Sequence, residues 1–217
     1  MNQKTKRLTT SAVMIAIAVA IALICGIIPF LNLPFGGGFT IASMLPIVLI
    51  SYMYGVKWGL LTGFSYAVLQ MVISFGTVQA FFLPNDDNYM GSVGAALAIC
   101  LLDYLVAYTL LGLGGVFRNV VKNKTVSIVL GVLVALSLRY LIHIVSGYIF
   151  FGAWAEWFFS QDGFYGSFGS SVLNAFSGKG LSWFYSIFYN GLYMIPEIII
   201  TAIVAVPVSR IPYVNKI

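Results

Sequence analysis

The chain has 217 residues, of which 60% are hydrophobic and only 8% are charged, and its formal net charge is +5 at pH 7. So few polar residues could not cover the surface of a water-soluble domain, which excludes that class and predicts an all-α, multi-pass membrane protein. Both cysteines, Cys25 and Cys100, lie inside apolar runs, so the sequence indicates neither a disulfide nor a metal site.

Six apolar segments are long enough, or nearly so, to cross a bilayer, which takes about 20 helical residues. The predicted membrane helices cover residues 8–30, 39–54, 58–75, 92–117, 125–151 and 182–211. The first follows a basic N-terminus without a convincing cleavage site, so we expect a retained helix rather than a signal peptide. Residues 152–181 are predicted to form a loop rich in aromatic residues, Gly and Ser. Residues 1–217 are therefore predicted to fold as a single compact bundle of six transmembrane helices.

The first predicted helix carries a stripe of small residues. Ala12, Ala16 and Ala20 recur every four residues and so lie on one face of the helix. Small side chains let a second helix approach closely. The stripe is therefore predicted to be either a partner interface or an ordinary packing surface inside the bundle.

Positive charges fall almost entirely on one side of this predicted topology. That side collects Lys4, Lys6, Arg7, Lys57, Arg118, Lys122, Lys124, Arg210 and Lys216. The other side has Lys179 and the acidic residues Asp86, Asp87, Glu156 and Asp162. Because cytoplasmic loops carry an excess of Lys and Arg, both termini are predicted to be cytoplasmic. The basic charge thus reflects topology in a membrane lipid environment, and it gives no reason to expect a nucleic-acid partner.

Polar side chains in the last three predicted helices come to similar depths. At a rise of about 1.5 Å per residue, Asp103 lies roughly 18 Å below the outer end of its helix, and Arg139 lies at a similar depth. His143 and Asn190 each lie about 12 Å down, with Tyr185 above Asn190. Buried ionisable residues of this kind usually line a ligand pathway, so a binding site is predicted here. The alternative is a structural pair of Asp103 and Arg139 that only fixes helix registry.

Four runs of sequence resemble one known family. They are residues 36–47 (GGGFTIASMLPI), 55–63 (GVKWGLLTG), 102–108 (LDYLVAY) and 139–147 (RYLIHIVSG). In order and spacing they are similar to the thiamine-binding S components of energy-coupling factor (ECF) vitamin transporters. The resemblance implies a six-helix protein of the bacterial cell membrane that captures a vitamin from outside. It implies no enzymatic activity and no cofactor in this chain, because ATP is used by two ABC ATPase subunits that act with a transmembrane T component.

The resemblance also implies which residues contact the ligand, thiamine. Asp103 and Tyr104 stand where the family has an acidic residue followed by Tyr, with Asp in place of the usual Glu. Arg139 and His143 occupy the places of a Lys and a His four residues apart. Phe151 stands where the family has a Trp that stacks on the ligand.

On the sixth helix, Tyr185 and Asn190 match a Tyr and an Asn of the family, five residues apart. A further aromatic residue is expected from the first outer loop, with Phe35 and Phe39 as the candidates. The resemblance places the alanine stripe against the coupling helices of the T component. Arg139 would repel the cationic thiazolium ring, so its expected role is to orient the Asp103 carboxylate or to reach an acceptor on the pyrimidine.

Two other functions stay open at this point. The substitutions at Asp103, Arg139 and Phe151 allow an S component for another vitamin or for a thiamine precursor, since Arg and Lys are not equivalent at a tight site. A stand-alone proton-coupled secondary transporter could use Asp103, His143 and Glu197 as a relay, although no inverted repeat or broken-helix pair is evident. Glu197 lies deeper than the predicted site, and a packing role is expected for it.

Overall fold

The structure, a computed structural model, describes residues 2–33 and 37–215. This part of the chain is helical, with an isolated antiparallel bridge between Asn32 and Gly38. Its apolar membrane helices are α1 (Gln3–Ile27), α2 (Leu45–Tyr54), α3 (Val56–Ile73), α4 (Val93–Gly115), α5 (Lys124–Ser146) and α6 (Gly178–Val208). All but α2 are long enough to cross a membrane. The prediction of an all-α, multi-pass membrane protein is confirmed.

The second crossing is helical only in part. The sequence predicts a helix over residues 39–54, but α2 begins at Leu45 and is about 15 Å long at 1.5 Å per residue. The chain before it is extended and turns at Ala42, which has a positive φ of 59°. Non-helical backbone at membrane depth is tolerated where it is buried in protein, and Ala42, Ser43 and Met44 are all buried.

Glu197 of α6 holds this extended stretch in place. Its carboxylate accepts a hydrogen bond from the backbone N–H of Thr40 and another from the Thr40 hydroxyl at 2.8 Å. The Glu197 side chain is fully buried, so these donors supply the partners that a buried carboxylate requires. The expected packing role of Glu197 is therefore specific. Its carboxylate accepts hydrogen bonds from Thr40, in a stretch that was predicted to be helical and is extended instead.

The prediction of a loop over residues 152–181 is wrong for most of its length. From α5 the chain continues through a π turn (Gly147–Phe151), a 3-10 turn (Gly152–Trp154) and a short helix (Ala155–Ser160). Further turns at Asp162–Phe164 and Tyr165–Gly169 lead to a helix at Ser170–Ala175. Aromatic residues that suggested an outer loop are instead packing residues: Phe158 and Phe159 are buried against Tyr185 of α6.

Glycines allow the central helices to pack backbone against backbone. A Cβ added at Gly131 of α5 would lie 1.9 Å from the carbonyl oxygen of Gly114 in α4. A Cβ at Gly59 of α3 would lie 2.7 Å from the carbonyl oxygen of Gly112. Small residues permit such close approach in membranes, where van der Waals contact drives helix association.

Both ends of the described chain lie at one end of the bundle. The hydroxyls of Thr10 in α1 and Tyr213, beyond α6, are hydrogen-bonded at 2.8 Å, and Lys6 lies 5.5 Å above the Tyr213 ring. We term this the terminal end, and the opposite end, with Asp86 and Glu156, the far end. Lys216, predicted to share the basic side, lies outside the described residues.

Candidate functional site

A cavity of about 200 Å³ lies between α4, α5 and α6, on the far-end side of the bundle. Six aromatic side chains of the described chain contribute to its wall: Phe81, Phe151, Trp154, Tyr185, Tyr189 and Tyr193. The polar part of the wall comprises Thr77, Asn88, Asp103, His143 and Asn190. Gly37 and Gly147 complete it. The last three helices therefore do bring a carboxylate, an imidazole and a carboxamide to one aromatic-walled space.

Asp103 and His143 form a pair across α4 and α5. The carboxylate oxygen Oδ1 lies 2.9 Å from His143 Nδ1, and the side chains are 19% and 8% exposed, respectively. An ionised carboxylate can only accept a hydrogen bond, so Nδ1 donates, and in the neutral ring Nε2 becomes an acceptor. Nε2 is buried and has no hydrogen-bond partner in the described part of the chain. Nε2 is therefore an acceptor that no group in this part of the chain uses.

Asn190 is engaged on both sides of its amide. Its Nδ2 donates to the carbonyl oxygens of Ser186, at 2.8 Å, and of His143, at 3.1 Å. Its Oδ1 accepts a hydrogen bond from the hydroxyl of Tyr193. Both amide hydrogens are therefore used within the protein, and Asn190 ties α5 to α6 while it orients Tyr193 in the cavity wall.

Two π turns supply cavity residues. Asp103 lies in the π-helical part of α4, Cys100–Val106, and Gly147 and Phe151 are the ends of the π turn that follows α5. A π turn is wider than an α-helical turn and is frequently found at functional sites. Side chains in a π turn therefore point in directions that differ from those in a regular α-helix.

Arg139 lies outside the cavity wall and does not pair with Asp103. Its guanidinium stacks 4.2 Å over the ring of Tyr108 and donates through Nη1 to the sulfur of Met44. The depth comparison that allowed an Asp103–Arg139 pair assumed regular α-helices, whereas the π turn directs Asp103 to His143, one turn nearer the far end. A ring face and a sulfur atom, rather than the Asp103 carboxylate, are the direct contacts of the buried cation.

Tyr104 also does not line the cavity. Its ring centroid is 6.5 Å from that of Tyr108, and the side chain packs against a buried cluster that includes Phe81 and Ile99. The other predicted ligand residues all line the cavity: Asp103, His143, Phe151, Tyr185 and Asn190. The structure thus separates the seven predicted residues into five on the wall and two, Tyr104 and Arg139, behind it.

Several wall residues were missed by the sequence analysis. Tyr189 and Tyr193 follow Tyr185 at intervals of four, which places all three on one face of α6, so a signal was present. Trp154 lies in the stretch that was predicted as a loop. In the first outer loop Phe35 lies outside the described residues, and Phe39 is half-buried but is not part of the wall.

Comparison with known proteins decides the family. Residues 12–161 match the family described as thiamine transporter protein (Thia_YuaJ). The chain belongs to this family. It is also similar to the thiamine transporter ThiT of Bacillus subtilis (strain 168), with 35% identity over 216 residues, 94% of this chain and 91% of that protein. Membership of the Thia_YuaJ family confirms the predicted family and a multi-pass membrane transport protein rather than an enzyme.

Proposed function

We propose that this chain is a single integral membrane domain that binds thiamine at high affinity, the S component of an ECF-type transporter. The cavity carries the proposal, because a carboxylate–imidazole pair lies inside a wall of aromatic rings in a member of the Thia_YuaJ family. The similarity to a protein named as a thiamine transporter supports the choice of ligand.

The chemistry of the wall suits thiamine. The thiazolium ring is a permanent cation, which needs a counter-charge away from water, and Asp103 is the only carboxylate on the described wall. Aromatic faces add about 0.5 to 2 kcal/mol for each cation–π contact. The amino group on the pyrimidine ring is an N–H donor, and we propose His143 Nε2 as the acceptor of its hydrogen bond. Arg139 lies behind the wall, where its guanidinium stacks on Tyr108, so it does not contact a cation in the cavity directly.

The volume of the cavity limits the size of the vitamin that it can hold. At about 200 Å³ it is smaller than the roughly 300 to 1,000 Å³ of typical ligand pockets. A compact two-ring molecule therefore fits this space better than a tetrapyrrole-sized vitamin. A thiamine precursor that keeps the aminopyrimidine ring but lacks the positive charge would lose the attraction of Asp103.

Energy would come from partner subunits. We propose that the terminal end faces the cytoplasm, as its Lys and Arg residues favour, and that thiamine enters from the far end. ATP would be hydrolysed by two ABC ATPase subunits, which act through a T component docked on α1. Ala12, Ala16 and Ala20 are all exposed, whereas Ala18 on the same helix is buried, so the stripe faces away from the bundle.

Binding and transport measurements test the proposal. Titration calorimetry of the purified chain with a panel of vitamins is expected to show tight binding of thiamine. Vesicles that contain the chain alone should bind thiamine without accumulating it, and uptake should begin when the T component, the ATPases and ATP are added. Accumulation by the chain alone under a proton gradient would contradict the S-component assignment and favour a secondary transporter.

A further inference from the structure

The terminal end holds a second cavity, of about 640 Å³, between the start of α1, the end of α2 and the segment after α4. Four cationic side chains line it: Lys4, Lys6, Arg7 and Arg118. Gln3, Met53 and Tyr54 form the rest of its described wall. The six acidic residues of the chain are Asp86, Asp87, Asp103, Glu156, Asp162 and Glu197, and none of them lines this space. We term it the basic cleft.

The two arginines of the basic cleft are held in fixed positions. Arg7 stacks 4.0 Å over the ring of Trp58, whose indole N–H donates to the Ser11 hydroxyl at 2.9 Å. Arg118 donates through Nη1 to the carbonyl oxygen of Met53 at 3.0 Å. Arg7 Nε is buried and has no hydrogen-bond partner among residues 2–33 and 37–215. Two guanidinium groups are thus oriented in advance.

Membrane topology explains the sign of these charges but not their convergence. Lys57 and Lys122 carry the same charge at the same end, yet both are exposed and neither lines the cleft. Four positive charges around one cavity repel one another, and the repulsion grows as water is excluded. An anion in the cleft would turn this unfavourable arrangement into a favourable one.

We propose that the basic cleft binds the phosphate group of an anionic lipid from the leaflet at the terminal end. The fork of guanidinium donors matches the geometry of phosphate, and each nearby Lys or Arg adds about 1 kcal/mol of attraction to an anionic membrane surface. Apolar side chains of α1 are exposed beside and beyond the cleft, with Leu8 at 63% and Val13 at 53%, and they offer a surface for the acyl chains. A soluble phosphate shares the chemistry of the headgroup but would make no use of that apolar surface.

Native mass spectrometry of the full chain, titrated with phosphatidylglycerol or phosphatidylcholine, tests the proposal. The wild type is expected to bind phosphatidylglycerol at least about tenfold more tightly than phosphatidylcholine, and the double variant Lys4→Gln/Lys6→Gln should lose most of this preference. Both lysines are exposed, so the variant is expected to fold, and its thermal unfolding midpoint checks this. The matched control Lys57→Gln/Lys122→Gln removes two charges from the same end and should retain the preference.

Two results of the lipid titration would overturn the proposal. One is a wild type that does not distinguish the two lipids; the other is an equal loss of preference in both double variants, which would reduce the effect to overall charge. A third measurement separates the sources of phosphate: inorganic phosphate is added to the wild type in phosphatidylcholine nanodiscs. We expect little change in the unfolding midpoint, and stabilisation equal to that given by phosphatidylglycerol would overturn the lipid assignment.

Discussion

We propose two separable tasks for Asp103 in the cavity. One carboxylate oxygen accepts the Nδ1–H of His143 and so fixes which ring nitrogen remains a hydrogen-bond acceptor. The negative charge of the group is the second feature, and it is the counter-charge that a bound cation requires. An Asn side chain has nearly the same shape and keeps an acceptor oxygen, so it preserves the first task and removes the second.

Asp103→Asn is expected to weaken thiamine binding at least tenfold, which corresponds to about 1.4 kcal/mol or more. The cause is the loss of the only counter-charge on the described cavity wall. Titration calorimetry of the purified variant measures the change. Asp87→Asn, at an exposed residue outside the wall, removes the same charge elsewhere and should bind as the wild type does. Equal affinities for Asp103→Asn and wild type would place the thiazolium ring away from α4.

Trp154 offers a spectroscopic test of the cavity. It lines the wall, whereas Trp183 stacks on Tyr148 with ring centroids 4.1 Å apart and lies outside the wall. We expect thiamine to quench the intrinsic fluorescence of the wild type, and Trp154→Phe to lose most of that quenching. Trp183→Phe should keep it. Quenching that survives in Trp154→Phe and disappears in Trp183→Phe would show that the ligand binds elsewhere.

Among the helices, α5 and α6 make the contact that determines the shape of the cavity. Gly147 begins the π turn at the end of α5, and a Cβ there would lie 2.4 Å from Ser186 Oγ and 2.8 Å from Asn190 Nδ2. Ser186 Oγ in turn donates to the carbonyl oxygen of Ile144 at 2.6 Å. The two helices therefore contact each other through hydrogen-bonded groups whose positions are fixed.

Gly147→Ala is expected to lower the thermal unfolding midpoint and to weaken thiamine binding, because overpacking of this kind costs about 1 to 3 kcal/mol. The added methyl group would push α6 away from α5 and move Tyr193 and Asn190 in the cavity wall. Gly76→Ala is the matched control, since a Cβ at Gly76 has no atom within 4 Å. A Gly147→Ala protein that melts and binds like this control would contradict the close approach.

How far the sequence predicts this fold depends on how regular each element is. Asn190 and Tyr185 lie on an unbroken α-helix, so depth and spacing placed them correctly at the cavity. Asp103 was also placed there, but its partner was not foreseen, because a π turn follows no residue pattern that the sequence displays. The start of α2 was missed for a related reason: the carboxylate that stabilises the extended stretch at Thr40 comes from position 197, far along the chain.

In the whole molecule, the cavity and the alanine stripe are separate surfaces. The cavity lies among the last three helices, whereas the stripe lies on the outward face of α1, of which few residues are buried. Because so few residues of α1 are buried in its own bundle, most of the surface of this helix is available to lipid or to another protein. Ligand capture and partner docking should therefore respond to different substitutions.

Ala16→Trp is expected to abolish assembly with the T component and the ATPases while thiamine binding stays unchanged. A large ring on the stripe would prevent the close helix approach that small residues allow. Co-purification measures assembly, and calorimetry measures binding. Ile199→Trp, at a residue of α6 that is 52% exposed, places the same ring elsewhere on the membrane-facing surface and should assemble normally. Normal co-purification of Ala16→Trp would exclude the stripe as the interface.

The π turn around Asp103 has a consequence for how such proteins diverge. Its hydrogen bonds close over five residues instead of four, so it holds one residue more than an α-helical turn needs. A chain that lost this residue from Cys100–Val106 could regain a regular helix. The helix on either side would keep its orientation, and only the residues inside the former π turn would change direction. Asp103 lies inside that turn, so we expect its carboxylate to lose its alignment with His143 although no residue of the wall has been replaced. We therefore expect a single-residue deletion in this turn to weaken ligand binding, without any substitution in the binding pocket.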